Sequence, residues 1–174
     1  REAGAAYSRP FIIHQHSKPE TLAYRDPAFY ARQQVTLRHT AAESIDSKNR
    51  QVRLAGGKKV AYDRLLLAVG GVPVRPPIPG LDHQRVFTLT TLADAVALQK
   101  AVRPKMQGVV IGCGMIGIKA AEYLAELGVK VTIVELQDRP FAAVLDRASA
   151  ALVTAQLKRH CTLILNDSVT RITA

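Results

Sequence analysis

Tryptophan is missing, and aromatic residues together make up only 5% of the 174-residue chain. No basic stripe interleaves with those few rings, so the stacking platforms that hold nucleic acid have no counterpart here. Cysteine is nearly missing as well. Cys113 and Cys161 stand too far apart for a redox CxxC pair and are too few for a disulfide framework, which makes a reducing, cytoplasmic setting the expectation. The longest uncharged apolar stretches, Leu65 to Val74 and Val109 to Ile118, fall far short of the roughly 20 residues that span a bilayer, so no transmembrane helix and no membrane partner are expected. Nothing near Arg1 has the pattern of a signal peptide, and the expectation is a sequence that starts inside a longer protein. Acidic residues are scarce, 14 against 24 Lys and Arg, for a formal charge of +10. Such a charge suits nucleic acid, an anionic cofactor or an acidic protein partner. The tightest basic clusters, Lys58-Lys59 beside a Gly-Gly turn and Lys158-Arg159 near an expected helix end, have local explanations, and nucleic acid is the least favoured of the three. His14, His16, His39, His83 and His160 show neither HxxxH nor Cys/His ligand spacing, so no metal is expected.

What is present is an alternation of element types. Residues 1 to about 30 are interrupted by Pro10, Pro19 and Pro27 and read as loops with short helical turns. Val35 to Thr40, Glu43 to Asp46, Gln51 to Leu54 and Val60 to Tyr62 alternate apolar and polar residues around Gly56-Gly57, the pattern of an antiparallel meander. Leu65 to Val69 is a continuous apolar run, as expected of a strand buried on both faces. Val72 to Gly80 holds four prolines in nine residues and reads as a semi-rigid link between two domains. Beyond it the spacing predicts a helix over Thr91 to Ala101, a buried strand at Val109 to Ile111, and a helix from Met115 to Leu127 stopped by Gly128. A strand from Val129 to Glu135, a helix from Arg147 to Lys158 and a strand from Thr162 to Leu165 follow.

One motif carries chemistry. Gly112-Cys113-Gly114-Met115-Ile116-Gly117 matches GxGxxG between an expected strand and helix. There the first glycine permits a tight turn, the second lets a pyrophosphate reach the backbone, and the third lets helix and strand pack closely. The phosphates would meet the unpaired N–H groups of the helix N-terminus. Glu135 ends the next strand, 23 residues after Gly112, where a carboxylate accepts from both ribose hydroxyls and repels a 2′-phosphate. With Leu136 and Gln137 next and no arginine immediately following, NAD is preferred over NADP. The spacing alone leaves a structural glycine turn open and does not separate NAD from FAD.

The order Tyr7-Ser8-Arg9-Pro10, Tyr24-Arg25-Asp26-Pro27-Ala28-Phe29-Tyr30, the meander, Ala68-Val69-Gly70-Gly71-Val72-Pro73, Pro77-Ile78-Pro79-Gly80-Leu81 and the Gly112 turn resembles the FAD-dependent pyridine nucleotide-disulfide oxidoreductase family. The likeness is to its branch without a redox disulfide, which holds NADH:rubredoxin reductase-like and nitrite reductase-like flavoproteins. The resemblance implies an α/β fold of the FAD/NAD(P)-binding three-layer β/β/α kind, a Rossmann-like parallel sheet plus an antiparallel meander, here incomplete. It implies a partial FAD-binding domain at 1–84 and a partial NAD-binding domain at 85–174. It also implies FAD contacts at Ala68, Val69 and Gly70, at Ala42 through its main chain, and at Arg9, alongside NADH contacts at Gly112, Gly114, Met115, Ile116, Gly117 and Glu135. The activity implied is hydride transfer from NADH to flavin, then electron delivery to an acceptor such as an acidic iron-sulfur carrier, oxygen or a fused reductase module.

The sequence departs from the family at three points. Pro10 stands where disulfide-reducing relatives carry a reactive cysteine, so thiol chemistry is not expected of Cys113 or Cys161. Lys119 stands where many relatives have a glutamate facing the nicotinamide and flavin. It is either a solvated helix cation or a catalytic cation that stabilises negative charge developing on the flavin. The first GxGxxG of the family and its later Gly-Asp flavin motif are expected to lie upstream of Arg1 and beyond Ala174. The 174 residues are therefore expected to bind FAD poorly and to be inactive by themselves, the longer parent being the catalyst. Two other readings stay open: an apoptosis-inducing-factor-like regulatory protein that binds NADH and FAD and contacts nucleic acid, and an inert folded remnant. Exposed edges and apolar faces also make a homodimer compatible with the sequence.

Overall fold

A computed structural model of the chain describes residues 25, 26 and 28–173. The described residues fall into two compact units, one running to Gly71 and the other from Val72 onward.

The first unit opens with one turn of helix, α1 (Phe29–Arg32), where the Asp26 carboxylate accepts from the Ala28 N–H at 2.9 Å and pairs with Arg32 at 2.6 Å. Its sheet consists of β1 (Ala42–Asp46), β2 (Gln51–Leu54) and β3 (Lys59–Ala61), antiparallel in that order. Asp46 closes the first hairpin by accepting from the backbone and side-chain nitrogens of Asn49 at 2.9 and 2.7 Å. Gly56 and Gly57 close the second with φ of 84° and 81°, a backbone region that costs glycine little. The register Ser44↔Arg53↔Lys59 puts a polar row on one face, while Val52, Leu54 and Val60 alternate onto the other.

Two expected strands of this unit do not form. Val35 to Thr40 has the alternation of a strand but joins no sheet among the described residues, and Leu65 to Val69 is extended chain outside both described sheets, with Leu66 88% and Val69 79% exposed. A strand buried on both faces needs hydrogen-bonded neighbours and covering helices, and among the described residues no strand pairs with 65–69.

The second unit begins with the proline-rich segment 72–80, which is irregular as expected. Its end is fixed from far along the chain: the Ile172 N–H donates to the Pro79 carbonyl at 2.8 Å, and a Cβ on Gly80 would overlap the Ile172 carbonyl oxygen. Helix α2 (Leu92–Ala101) starts on a capping box in which Thr91 Oγ1 accepts from the Asp94 N–H at 3.1 Å and Asp94 accepts from the Thr91 N–H at 2.8 Å. Strand β4 (Gln107–Ile111), helix α3 (Met115–Glu126), strand β5 (Lys130–Glu135), helix α4 (Arg147–Leu157) and strand β6 (Thr162–Leu165) complete the unit. All three strands run parallel in the order β4-β5-β6. Gly128, at φ 78°, ends α3 and turns the chain into β5, as its position suggested.

The core lies between α3 and the middle strand. Ile133 and Cys113 have no exposed surface and pack with Leu98, Ala121, Leu124, Val129 and Val131. Full burial of a side chain such as Ile133 contributes about 2 kcal/mol. Among the described strands β4 lies at an edge with one open face, where the sequence predicted a buried strand: Val109 is 63% exposed and Ile111 47%.

Candidate functional site

Strand β4 delivers the chain to a turn at Gly112, whose φ of 97° lies in the region that favours glycine and whose N–H donates to the Val134 carbonyl at 2.8 Å. Cys113 points into the core, and Gly114 is the extended N-cap of α3. No side chain caps that helix and no acid stands in its first turn, so its leading N–H groups keep their donor capacity and partial positive charge. A Cβ on Gly117 would overlap the Gly112 carbonyl oxygen, which is the close helix-strand approach the third glycine was expected to serve. A Cβ on Gly112 or Gly114 would meet nothing within 4 Å, so the space before the turn is open. Met115 and Ile116, 72% and 57% exposed, flank it.

Glu135 reaches this turn from the end of β5. One carboxylate oxygen accepts from the Cys113 N–H at 2.6 Å and the other from the Gln137 N–H at 2.8 Å. Each oxygen keeps a further lone pair, enough to accept from a diol. The structure thus brings Gly112, Gly114, Met115, Ile116, Gly117 and Glu135 together around one turn, with donors for a phosphate and acceptors for a ribose.

The remaining candidates lie elsewhere. Lys119 is on the second turn of α3 and pairs with Glu122 at 2.6 Å, both side chains partly solvated. Ala42 opens β1 and is exposed, and Ala68, Val69 and Gly70 follow in exposed, unpaired chain of the first unit, Gly70 with φ 78° and open space beside it. Arg9, His14 and His16 lie outside the described residues. Among the described residues no group of three His, Cys, Asp or Glu is placed to hold a metal, and no helix is long and apolar enough to cross a membrane.

Sequence reasoning missed the loop from 136 to 146, which grips the glycine turn. The Phe141 N–H donates to the Cys113 carbonyl at 3.1 Å, Phe141 takes φ 53°, and Pro140 beside it is fully buried. Arg139 donates to the carbonyls of Ala142 and Leu145 at 3.1 and 3.3 Å and pairs with Asp138 at 2.7 Å; Asp138 also pairs with Arg147 at 2.6 Å. Partial desolvation favours the neutral Asp138 carboxyl, but its two arginines outweigh this and hold it below the usual carboxylate range. The adjacent acid and arginine just past the strand are the only signal of this in the sequence.

The family model described as pyridine nucleotide-disulphide oxidoreductase matches residues 6–174. The NADH-dependent phenylglyoxylate dehydrogenase subunit epsilon of Aromatoleum evansii is 38% identical over 157 residues, covering 88% of this chain and 37% of that protein. The biphenyl dioxygenase system ferredoxin–NAD(+) reductase component of Paraburkholderia xenovorans (strain LB400) is 36% identical, covering 91% of this chain and 40% of that protein. A crystal structure of a ferredoxin reductase from Rhodopseudomonas palustris superposes with a TM-score of 0.90 at 27% identity, over 99% of this chain and 44% of that one. The chain spans less than half the length of each of these relatives.

Proposed function

The chain belongs to the pyridine nucleotide-disulphide oxidoreductase family, and from that premise we propose that it carries the NADH site of an FAD-dependent NADH oxidoreductase. The observation behind this reading is the Glu135 carboxylate hydrogen-bonded to the Cys113 N–H, which sets ribose acceptors directly beside an uncapped helix N-terminus. Gly112, Gly114, Met115, Ile116 and Gly117 hold the pyrophosphate in this assignment, and Glu135 holds the adenine ribose. Residues 85–174 form part of the NAD-binding domain. Residues 1–84, which take in the first unit and the proline-rich start of the second, are assigned to part of the FAD-binding domain, with Arg9, Ala42, Ala68, Val69 and Gly70 along the flavin cofactor.

FAD, when bound, supplies the redox chemistry between NADH and an electron acceptor. The chain's own residues position the dinucleotide and set the charge around it. Relatives named as ferredoxin reductases support an acidic iron-sulfur carrier as the acceptor, and a chain with a +10 excess suits such a partner. Lys119 is assigned the cation beside the flavin, a role in which it exchanges Glu122 for the developing charge. An unchanged flavin potential and rate of NADH oxidation in Lys119→Met would return it to the role of a surface cation.

Calorimetric titration of the chain with NADH, NADPH and FAD tests the reading. NADH is expected to bind, and Glu135→Ala to weaken it by about tenfold through loss of charge-assisted hydrogen bonds. A folded chain that binds no NADH, or binds it equally well without Glu135, refutes the assignment.

A further inference from the structure

The chain that leaves β5 gathers acids beside the glycine turn. From the end of β5 to the start of α4 it carries Glu135, Asp138 and Asp146 together with Arg139 and Arg147. Asp167 joins them, its N–H on the Glu135 carbonyl at 3.2 Å. Asp138 stands three residues beyond Glu135, within at most about 10 Å along the chain. It meets two guanidiniums that differ in kind. Arg139 spends all three of its nitrogens, on Asp138 and on the carbonyls of Ala142 and Leu145, and is part of the loop's framework. Arg147 is 79% exposed and has a single described partner, the second carboxylate oxygen of Asp138 at 2.6 Å.

We propose that Asp138 helps set the choice of NADH over NADPH by keeping the Arg147 guanidinium on its own carboxylate and away from the ribose 2′ position. The inference rests on the dinucleotide reading above. A 2′-phosphate brings about two negative charges, and a mobile arginine is the side chain best suited to meet it, through paired, planar N–H donors. Glu135 rejects that phosphate by direct repulsion. Asp138 removes the cation that would compensate, so the two acids act on different terms of the same discrimination.

The test is the Kd of the chain for NADH and for NADPH in wild type, Asp138→Asn, Arg147→Met and the double variant, with circular dichroism confirming that each is folded. Asp138→Asn is expected to tighten NADPH by about fivefold and to change NADH by less than about twofold. The double variant is expected to lose most of that gain, and Arg147→Met alone to leave both constants as they were. Asp138→Ser, which still offers Arg139 an acceptor, gives the same readout should the asparagine variant not fold. An unchanged ratio with NADH still bound overturns the role of Asp138, and a gain that survives removal of Arg147 overturns the role of the arginine. If folded wild-type chain binds neither nucleotide, the dinucleotide reading itself falls.

Discussion

At Cys113 three constraints meet on one residue: its N–H is held by Glu135, its carbonyl by Phe141, and its thiol has no exposed surface. Burial first, and then the nearby Glu135 charge, push the thiol up to about 11 from its ordinary 9.0. A raised pKa favours the protonated thiol in the folded state, so the associated stability is fully present below pH 9 and is lost as pH rises toward about 11. Urea denaturation of the chain at stepped pH is therefore expected to show falling stability across that window, with a shallower fall in Cys113→Ala. Equal slopes for the two proteins would show that the thiol is not the titrating group. The glycines and Glu135 were readable from spacing because a turn, a helix start and a strand end are local events. The grip of Phe141 on Cys113 and the Asp138 pairs were not, since they depend on where the loop from 136 to 146 comes back to.

The elements of the second unit followed from the sequence to within a residue or two because each carries its own punctuation. Thr91 and Asp94 start α2, Gly128 stops α3, and Asp146 starts α4 by accepting from the Ser149 N–H at 2.7 Å. The Thr91 cap is worth testing by itself: Thr91→Ala is expected to cost about 1 kcal/mol, read as a lower urea midpoint at unchanged m-value. No change would place α2's stability in its packing of Ala95 and Leu98 alone. The misreadings were of strands. Val35 to Thr40 and Leu65 to Val69 have the right residues, but a strand exists only with a partner, and pairing is not encoded within a six-residue window. Strand β4 was recognised, yet its open face was invisible for the same reason.

Over the molecule as a whole, the apolar side chains of Leu66, Leu67 and Val69 stand 88%, 62% and 79% exposed within one short extended segment, more apolar surface than folded chains usually leave open to water in so few residues. The chain is expected to bind the dye ANS while folded, and Leu66→Lys with Val69→Lys to lower that signal and any self-association without altering NADH affinity. Unchanged ANS fluorescence in the double variant would place the dye site elsewhere. The latch of Ile172 onto Pro79 and Gly80 bears on how the second unit is made rather than how it is held. It closes a loop on the order of 90 residues, which for a flexible chain costs about 4 kcal/mol. A ribosome adding about 5 to 20 residues each second needs roughly 5 to 20 s to travel from one partner to the other. The parallel sheet and its glycine turn have time to assemble before Ile172 is made, so within the second unit the latch is expected to close after the sheet it spans.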